Sequence, residues 1–305
     1  MPLAEPTASS PPPSPRSAAR SACRAIETAD LPAVQRLLEQ GFAGEPAGFW
    51  AHALAQYGRA RPLAGQTPYG YLLEAEGRVV GVILVSYAWR ADGTPPYLRG
   101  NIGSWYVEPP WRSQATLLTS RAHAPREASY LQLTPAPHVV PIVLAQGYRR
   151  YAQGTCASLP WLAPPRPGLR LARVTAPPPT GPDLGADECA LLADHHGYGC
   201  ISLVCSVDGQ RLPFVFTRRW APTRYGRLPC ARLVYCRSLE SFAACAGPLG
   251  RYLALRGLPI VFFDADGPLP GVPGRYRAGT GRFVRGPQTP RLGDLAYTEV
   301  AMFAF

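Results

Sequence analysis

The sequence predicts an α+β protein built on a mixed, mostly antiparallel sheet flanked by helices. Three observations carry that expectation. Short β-rich runs joined by tight-turn residues alternate with capped helical segments. A first half reading β-α-α-β-β-β-α-β-α is followed, after a proline-rich stretch, by helix, hairpin, strand, helix, strand. The chain has 305 residues and is 47% hydrophobic, enough for two domains with real cores.

Residues 1–20 are rich in proline and serine and read as a disordered tail. Residues 22–27 form a short strand. Asp30 then caps a helix over 31–40, with Pro32 in its first turn and Gly41 at its end. A second helical pattern covers 49–57. Residues 69–74 and 78–87 are strands around Ala75-Glu76-Gly77, a hairpin turn. A strand at 100–107, a helix at 112–122, a strand at 130–134 and a helix at 138–146 complete the first half. Residues 162–182, with Pro164-Pro165, Pro167 and Pro177-Pro178-Pro179, read as a linker. Beyond it, 187–195 is helical, and 201–208 and 211–218 are strands meeting at Asp208-Gly209. Residues 230–236 form a strand. Residues 239–256 form a long helix, kinked or split at Gly247-Pro248. Strands at 258–263 and 297–305 close the chain.

Composition narrows the function. All 31 basic residues are arginine, and the net charge is +11. The arginines are scattered, without a basic helix or an aromatic-interleaved stripe, so no nucleic-acid partner is expected. No apolar run reaches the roughly 18 residues of a membrane span, and the start lacks a secretory signal core. A cytoplasmic protein without membrane contact is the simplest expectation. None of the eight cysteines forms a C-x-x-C pair, and most lie in apolar contexts. They read as small buried hydrophobes in a reducing compartment.

The most informative stretch is 101–118, Asn-Ile-Gly-Ser-Trp-Tyr-Val-Glu-Pro-Pro-Trp-Arg-Ser-Gln-Ala-Thr-Leu-Leu. It reads as a strand, a proline-stiffened turn and the first turn of a helix. Unpaired N–H groups and a partial positive charge suit such a helix start to a phosphate, and Arg112 adds a fork of donors. This order resembles the coenzyme A pyrophosphate segment of the GNAT family, the GCN5-related N-acetyltransferases. The hairpin YGYLLEAEGRVVGVIL and the later VVPIVLAQGYRRY are also similar to that family. The likeness covers residues 22–160. It departs at both motif glycines, which are Ala115 and Leu117 here.

The resemblance implies a GNAT acyltransferase domain at 21–161 and a degenerate GNAT-like domain at 183–305. It implies transfer of an acetyl or other short acyl group from acetyl-CoA, or another acyl-CoA, to an amine acceptor, without a metal. The alternative is a GNAT-fold protein that has lost catalysis and binds a ligand or partner. Coenzyme A would contact Tyr106, Val107, Arg112, Ser113, Gln114, Ala115 and Thr116. Glu108 is the nearest carboxylate to the strand end and the base candidate; its other reading is a solvated loop glutamate. Family members often carry a tyrosine four residues before the helix-ending glycine as proton donor. That position is Val143, which leaves Tyr148 or Tyr106 as substitutes. In the second half, Glu240 stands where a phosphate would lie and opposes a second cofactor site.

Two further motifs have quieter readings. VFFDADG (261–267) has the form of a phosphatase nucleophile strand, with Asp264 and Asp266 as a metal pair. Too few residues follow for that fold, and a strand-end turn is the expected role. His195 and His196, adjacent on a helix, point apart and suit a capping role better than acid–base work.

Overall fold

The computed structural model describes residues 21–91, 95–223 and 226–303, so the tail expected at 1–20 lies outside the described residues. In chain order the first half contains β1 (Ser21–Ala25), α1 (Leu31–Gly41), α2 (Phe49–Arg59), β2 (Gly70–Ala75), β3 (Arg78–Arg90), β4 (Tyr97–Val107), α3 (Ala115–Ala122), β5 (Ser129–Gln132), α4 (Val140–Ala145) and β6 (Arg149–Ser158). The second contains β7 (Arg170–Arg173), α5 (Ala186–Gly197), β8 (Ile201–Val207), β9 (Gln210–Thr223), β10 (Gly226–Tyr235), α6 (Leu239–Ala254), β11 (Val261–Ala265), β12 (Gly274–Arg285) and α7 (Glu299–Met302).

All these strands join one sheet in the order β1-β2-β3-β4-β5-β12-β6-β11-β10-β9-β8-β7. Only β4–β5 and β10–β11 pair in parallel; the other pairs are antiparallel. The centre is interleaved. The strand next in sequence after β5 is β6, yet β12 lies between them, while β6 lies between β12 and β11. Each half therefore supplies a strand to the other's neighbourhood.

Strand alternation divides the core. In β3, Val82 and Leu84 face one side while Ile83 and Val85 face the other; in β9, Val215 faces opposite to Phe214 and Phe216. The first side, covered by α1, α2, α5 and α7, is a continuous core running across both halves. The other side carries two separate clusters, one with Leu118, Ala122 and Val143 from α3 and α4, the other with Phe242, Cys245 and Leu249 from α6.

Local chemistry explains the turns. Glu76 (φ 53°) and Gly77 (φ 72°), like Asp208 (φ 50°) and Gly209 (φ 76°), take the paired left-handed conformation of a two-residue hairpin. The helix at 239–256 is continuous through Pro248 and ends at Ala254. It packs against the turn at Pro160–Leu162: a Cβ on Gly250 would lie 2.2 Å from Trp161 N, and one on Gly247 2.5 Å from Pro164 O.

Several expectations need correction. The final run at 297–305 is not a strand. Tyr297 has φ 57°, and the described part forms the short helix α7, whose four residues are all buried. Apolar residues there alternate with others because the whole turn is enclosed, not because the backbone is extended. The expected linker contains β7, which pairs with β8. Its alternation was hidden by arginines at both ends. The helix expected from Arg112 begins at Ala115, preceded by a 3-10 helix at Pro109–Gln114 that the two prolines start. Seven of the eight cysteines are buried, and all eight are free thiols.

Candidate active site between the splayed strands

Parallel pairing of β4 and β5 covers only Arg99–Asn101 with Ser129–Leu131. Beyond it the two strands separate. On its other edge β4 is bulged: Val85 pairs with Ile102 and Ile83 with Trp105, so Leu84 faces both Gly103 and Ser104. The bulge takes Gly103 and Ser104 out of the regular ladder beside the open strand end.

Asn101 sits where the separation begins. Its Nδ2 donates to Leu131 O (3.3 Å) on β5, and its Oδ1 accepts from Glu299 N (2.7 Å) at the start of α7. The last helix is thereby tied to the fork. Thr134, just past β5, donates to Glu299 Oε1 at 2.6 Å. A methyl group on Gly103 would lie 2.8 Å from Glu299 Oε2 and 3.1 Å from the Tyr57 hydroxyl. The carboxylate and the phenol thus flank the bulge.

Both groups are buried. Burial pushes the Glu299 carboxyl above the usual range, against the Thr134 hydrogen bond and the Arg282 and Arg219 charges, which favour ionisation. Burial, then the nearby Glu299, holds the Tyr57 phenol well above its ordinary value. Its hydroxyl has no hydrogen-bond partner among the described residues. An unpaired buried hydroxyl is costly, of order 1–3 kcal/mol.

Packing and charge fix the helix that carries Glu299. Phe303 meets Phe49 (5.7 Å), Tyr57 (5.8 Å) and Trp50 (6.1 Å) ring to ring. Upstream, Asp294 is buried among Arg90, Arg99 and Arg291, which hold its carboxyl well below the usual range despite burial. His195 adds a third anchor. Its Nδ1 lies 2.7 Å from Leu191 O and its Nε2 accepts the Tyr297 N–H at 3.0 Å, so the ring is neutral with its proton on Nδ1.

A cavity of about 640 Å³ opens from this point between the halves. Ser104, Thr134 and Glu299 line one part, Phe42, Phe49, Trp50 and Phe303 form an aromatic wall, and Arg219, Arg232 and Arg282 face the same space. Asp264 and Asp266 have separate partners. Asp264 is buried in β11 and pairs with Arg232 and with Arg282 (3.0 Å), while Asp266 accepts from Gln153 N at 2.8 Å.

The residues singled out from the sequence are spread around the fork. Arg112 and Ser113 are exposed in the 3-10 helix, and Thr116 is exposed in the first turn of α3. Gln114 accepts from the Ser21 hydroxyl, and Ala115 N donates to Arg112 O. Val107 is buried against the α3 side, whereas Tyr106 is half-buried on the α1 side, its ring pressed on Gly41. Glu108, at the end of β4, pairs with Arg78 at 2.7 Å. Tyr148 is buried on the α3 side and bonds to His123 Nε2 at 2.7 Å. Glu299 and Tyr57 were not singled out: a glutamate in an apolar C-terminal run and a tyrosine on an amphipathic helix carry no spacing signal.

The start of α6 is capped by its own side chains. Ser238 Oγ accepts from Ser241 N (3.1 Å), Ser241 Oγ accepts from Ser238 N (3.2 Å), and Glu240 occupies the first turn. Arg237 is engaged by Glu188.

The sheet thus has a short parallel pair, β4 and β5, with a bulge at its open end and a helix following β4. The chain has the fold of the GCN5-related N-acetyltransferases. A GCN5-related N-acetyltransferase from Anabaena variabilis superimposes with TM-score 0.58 at 12% identity, over 87% of this chain and 72% of that one. One from Kribbella flavida gives 0.54 at 11% identity, over 88% and 71%. A putative acetyltransferase from Pyrococcus horikoshii gives 0.54 at 10% identity, over 91% and 93%. No protein-family profile and no curated protein sequence matches the chain. Among the described residues, no helix is long and apolar enough to cross a membrane.

Proposed function

We propose that the protein is an acyl-CoA-dependent N-acyltransferase working at the fork of β4 and β5. One observation carries this reading: a buried carboxylate and an unpaired buried phenol flank the Gly103–Ser104 bulge at the open strand end. Acyl transfer to an amine needs few groups. The amine nitrogen attacks the thioester carbon, the C–S bond breaks, and a proton leaves the nitrogen while another reaches the thiolate. Glu299 takes the first proton, and its raised pKa makes it a better base than an exposed glutamate. Tyr57 gives the second. Backbone N–H groups at the bulge polarise the thioester oxygen. Arg112 and the Ser113–Thr116 segment, which follows β4, hold the pyrophosphate of the acyl-CoA. Tyr106 and Val107 line its path, and Glu108, paired with Arg78, supports the loop. The second half repeats the plan of the first with a closed helix start and forms one wall of the acceptor cavity.

Acetyl-CoA and a panel of amines, followed by release of free thiol, test this reading. Thiol release that needs an amine and fails in Glu299→Gln is the expected result. Coenzyme A that binds without turnover of any amine would favour a binding protein.

A further inference from the structure

We propose that the acceptor amine also carries an oxyanion, a carboxylate or phosphate, received by Arg219, Arg232 and Arg282. This rests on the reading of the central cavity as the acceptor site. The three guanidiniums line the same cavity as Glu299. Arg232 and Arg282 share a single carboxylate, Asp264. Arg219 donates only to the carbonyls of Phe303 (2.8 Å) and Val300 (2.7 Å) and pairs with no carboxylate among the described residues. The Nε of Arg232 is buried without a hydrogen-bond partner.

Guanidinium is always charged and offers five donors, and burying it with incomplete pairing is costly unless a ligand completes the set. The local charge points the same way. The carboxylates that line the cavity are Glu299 and the exposed Glu45, set against three arginines. Burial lowers both Arg219 and Arg232 below the usual arginine range, and like charge adds to it, from Arg232 on Arg219 and from Arg282 on Arg232. An adjoining cavity of about 760 Å³ shares Arg232 and Arg282 and adds the exposed Arg275 and Arg277. It gives an anion a cationic path inward. The aromatic wall opposite receives an apolar body. An amine with an anionic head therefore fits: its oxyanion on the arginine fork, its nitrogen towards Glu299.

Paired ligands test this on the unaltered protein. L-phenylalanine is compared with L-phenylalaninamide, and O-phosphoethanolamine with ethanolamine, by calorimetry at constant ionic strength. The oxyanion-bearing member of at least one pair should bind ten-fold or more tightly than the partner lacking the oxyanion, and the pair that responds identifies carboxylate or phosphate. Arg232→Gln should abolish that preference, and Arg232→Lys, which keeps charge without the fork, should restore part of it. Arg219→Gln gives an independent check should Arg232→Gln fail to fold. Amines without the oxyanion binding as tightly as their oxyanion-bearing partners in both pairs would overturn the proposal. So would a ten-fold loss of coenzyme A affinity in Arg232→Gln, which would assign the arginines to the acyl donor. Selective anion binding without thiol release would uphold the anion site while refuting acyl transfer.

Discussion

The hydroxyl of Thr134 donates a 2.6 Å hydrogen bond to Oε1 of Glu299, a residue 165 positions later in the chain. That bond joins the end of β5 to α7 and keeps a buried carboxylate at the open end of the parallel strand pair. Local chain geometry does not produce it. It exists because Asn101 binds the start of α7, Asp294 and His195 anchor the segment before it, and Phe303 packs on α2.

Glu299→Gln should lower kcat about 10²–10⁴-fold, the scale of general-base catalysis, with the Kd of coenzyme A unchanged. A base acts only when deprotonated, so wild-type activity should rise with pH through a carboxyl pKa displaced upward from 4.5. The Gln variant should lose that acidic limb. A pH–rate profile with the same limb in both proteins would assign the base elsewhere.

Gly103→Ala probes the same point from the backbone. The added methyl would meet Glu299 Oε2 at 2.8 Å, closer than van der Waals contact allows, so the carboxylate must move. Its hydrogen bond and burial oppose movement, and overpacking of this kind costs about 1–3 kcal/mol. Activity should fall at least ten-fold while denaturant unfolding remains cooperative. Gly100→Ala is the comparison: its methyl would meet the Tyr130 ring at 2.7 Å, away from the carboxylate. It should reduce stability without altering the pH profile.

Much of the scaffold was readable in the sequence, for identifiable reasons. Positive-φ turn residues mark both hairpins, α1 begins with Pro32 and ends at Gly41, and β3 and β9 carry dense apolar runs. The interleaved centre was not readable. β12, Gly-Arg-Tyr-Arg-Ala-Gly-Thr-Gly-Arg-Phe-Val-Arg, has neither apolar alternation nor turn-bounded compactness. It is a strand because β5 and β6 on its two edges both pair with it. Glu299 was not singled out for a related reason: its place beside Thr134 and Gly103 depends on contacts between segments far apart in sequence, and such contacts leave no periodic trace. The turn from β4 into α3 was legible because it is encoded locally, by Pro109 and Pro110 and the helical run that follows them.

His195 makes stability depend on pH. Burial pushes its pKa down to about 4, from an ordinary value of 6.5. The unfolded chain therefore binds a proton at a higher pH than the native one. The stability this neutral ring provides is fully present above about pH 6.5 and is lost as pH falls through about 4. Between pH 7 and pH 5 the loss should be about 2 kcal/mol, by linkage. Denaturant unfolding at the two pH values, compared with His195→Gln, measures it; the variant should show a smaller difference. A His195 ring that titrates by NMR near 6.5 in the folded protein would contradict the buried neutral assignment.

The last prediction concerns where, and how many times, coenzyme A binds. The exposed guanidinium of Arg112 precedes the α3 helix start, whose first turn has no acidic residue. At α6 the serine pair already caps the first turn and Glu240 adds negative charge, which repels phosphate. Calorimetric titration should therefore give one coenzyme A per chain. Arg112→Ala should weaken it by about 1.5–3 kcal/mol, the scale of a charge-assisted hydrogen bond, because the arginine supports little core. Glu240→Gln should leave both stoichiometry and affinity unchanged. Two equivalent sites, or an Arg112→Ala variant with an unaltered Kd at constant salt, would move the cofactor away from the β4–α3 turn.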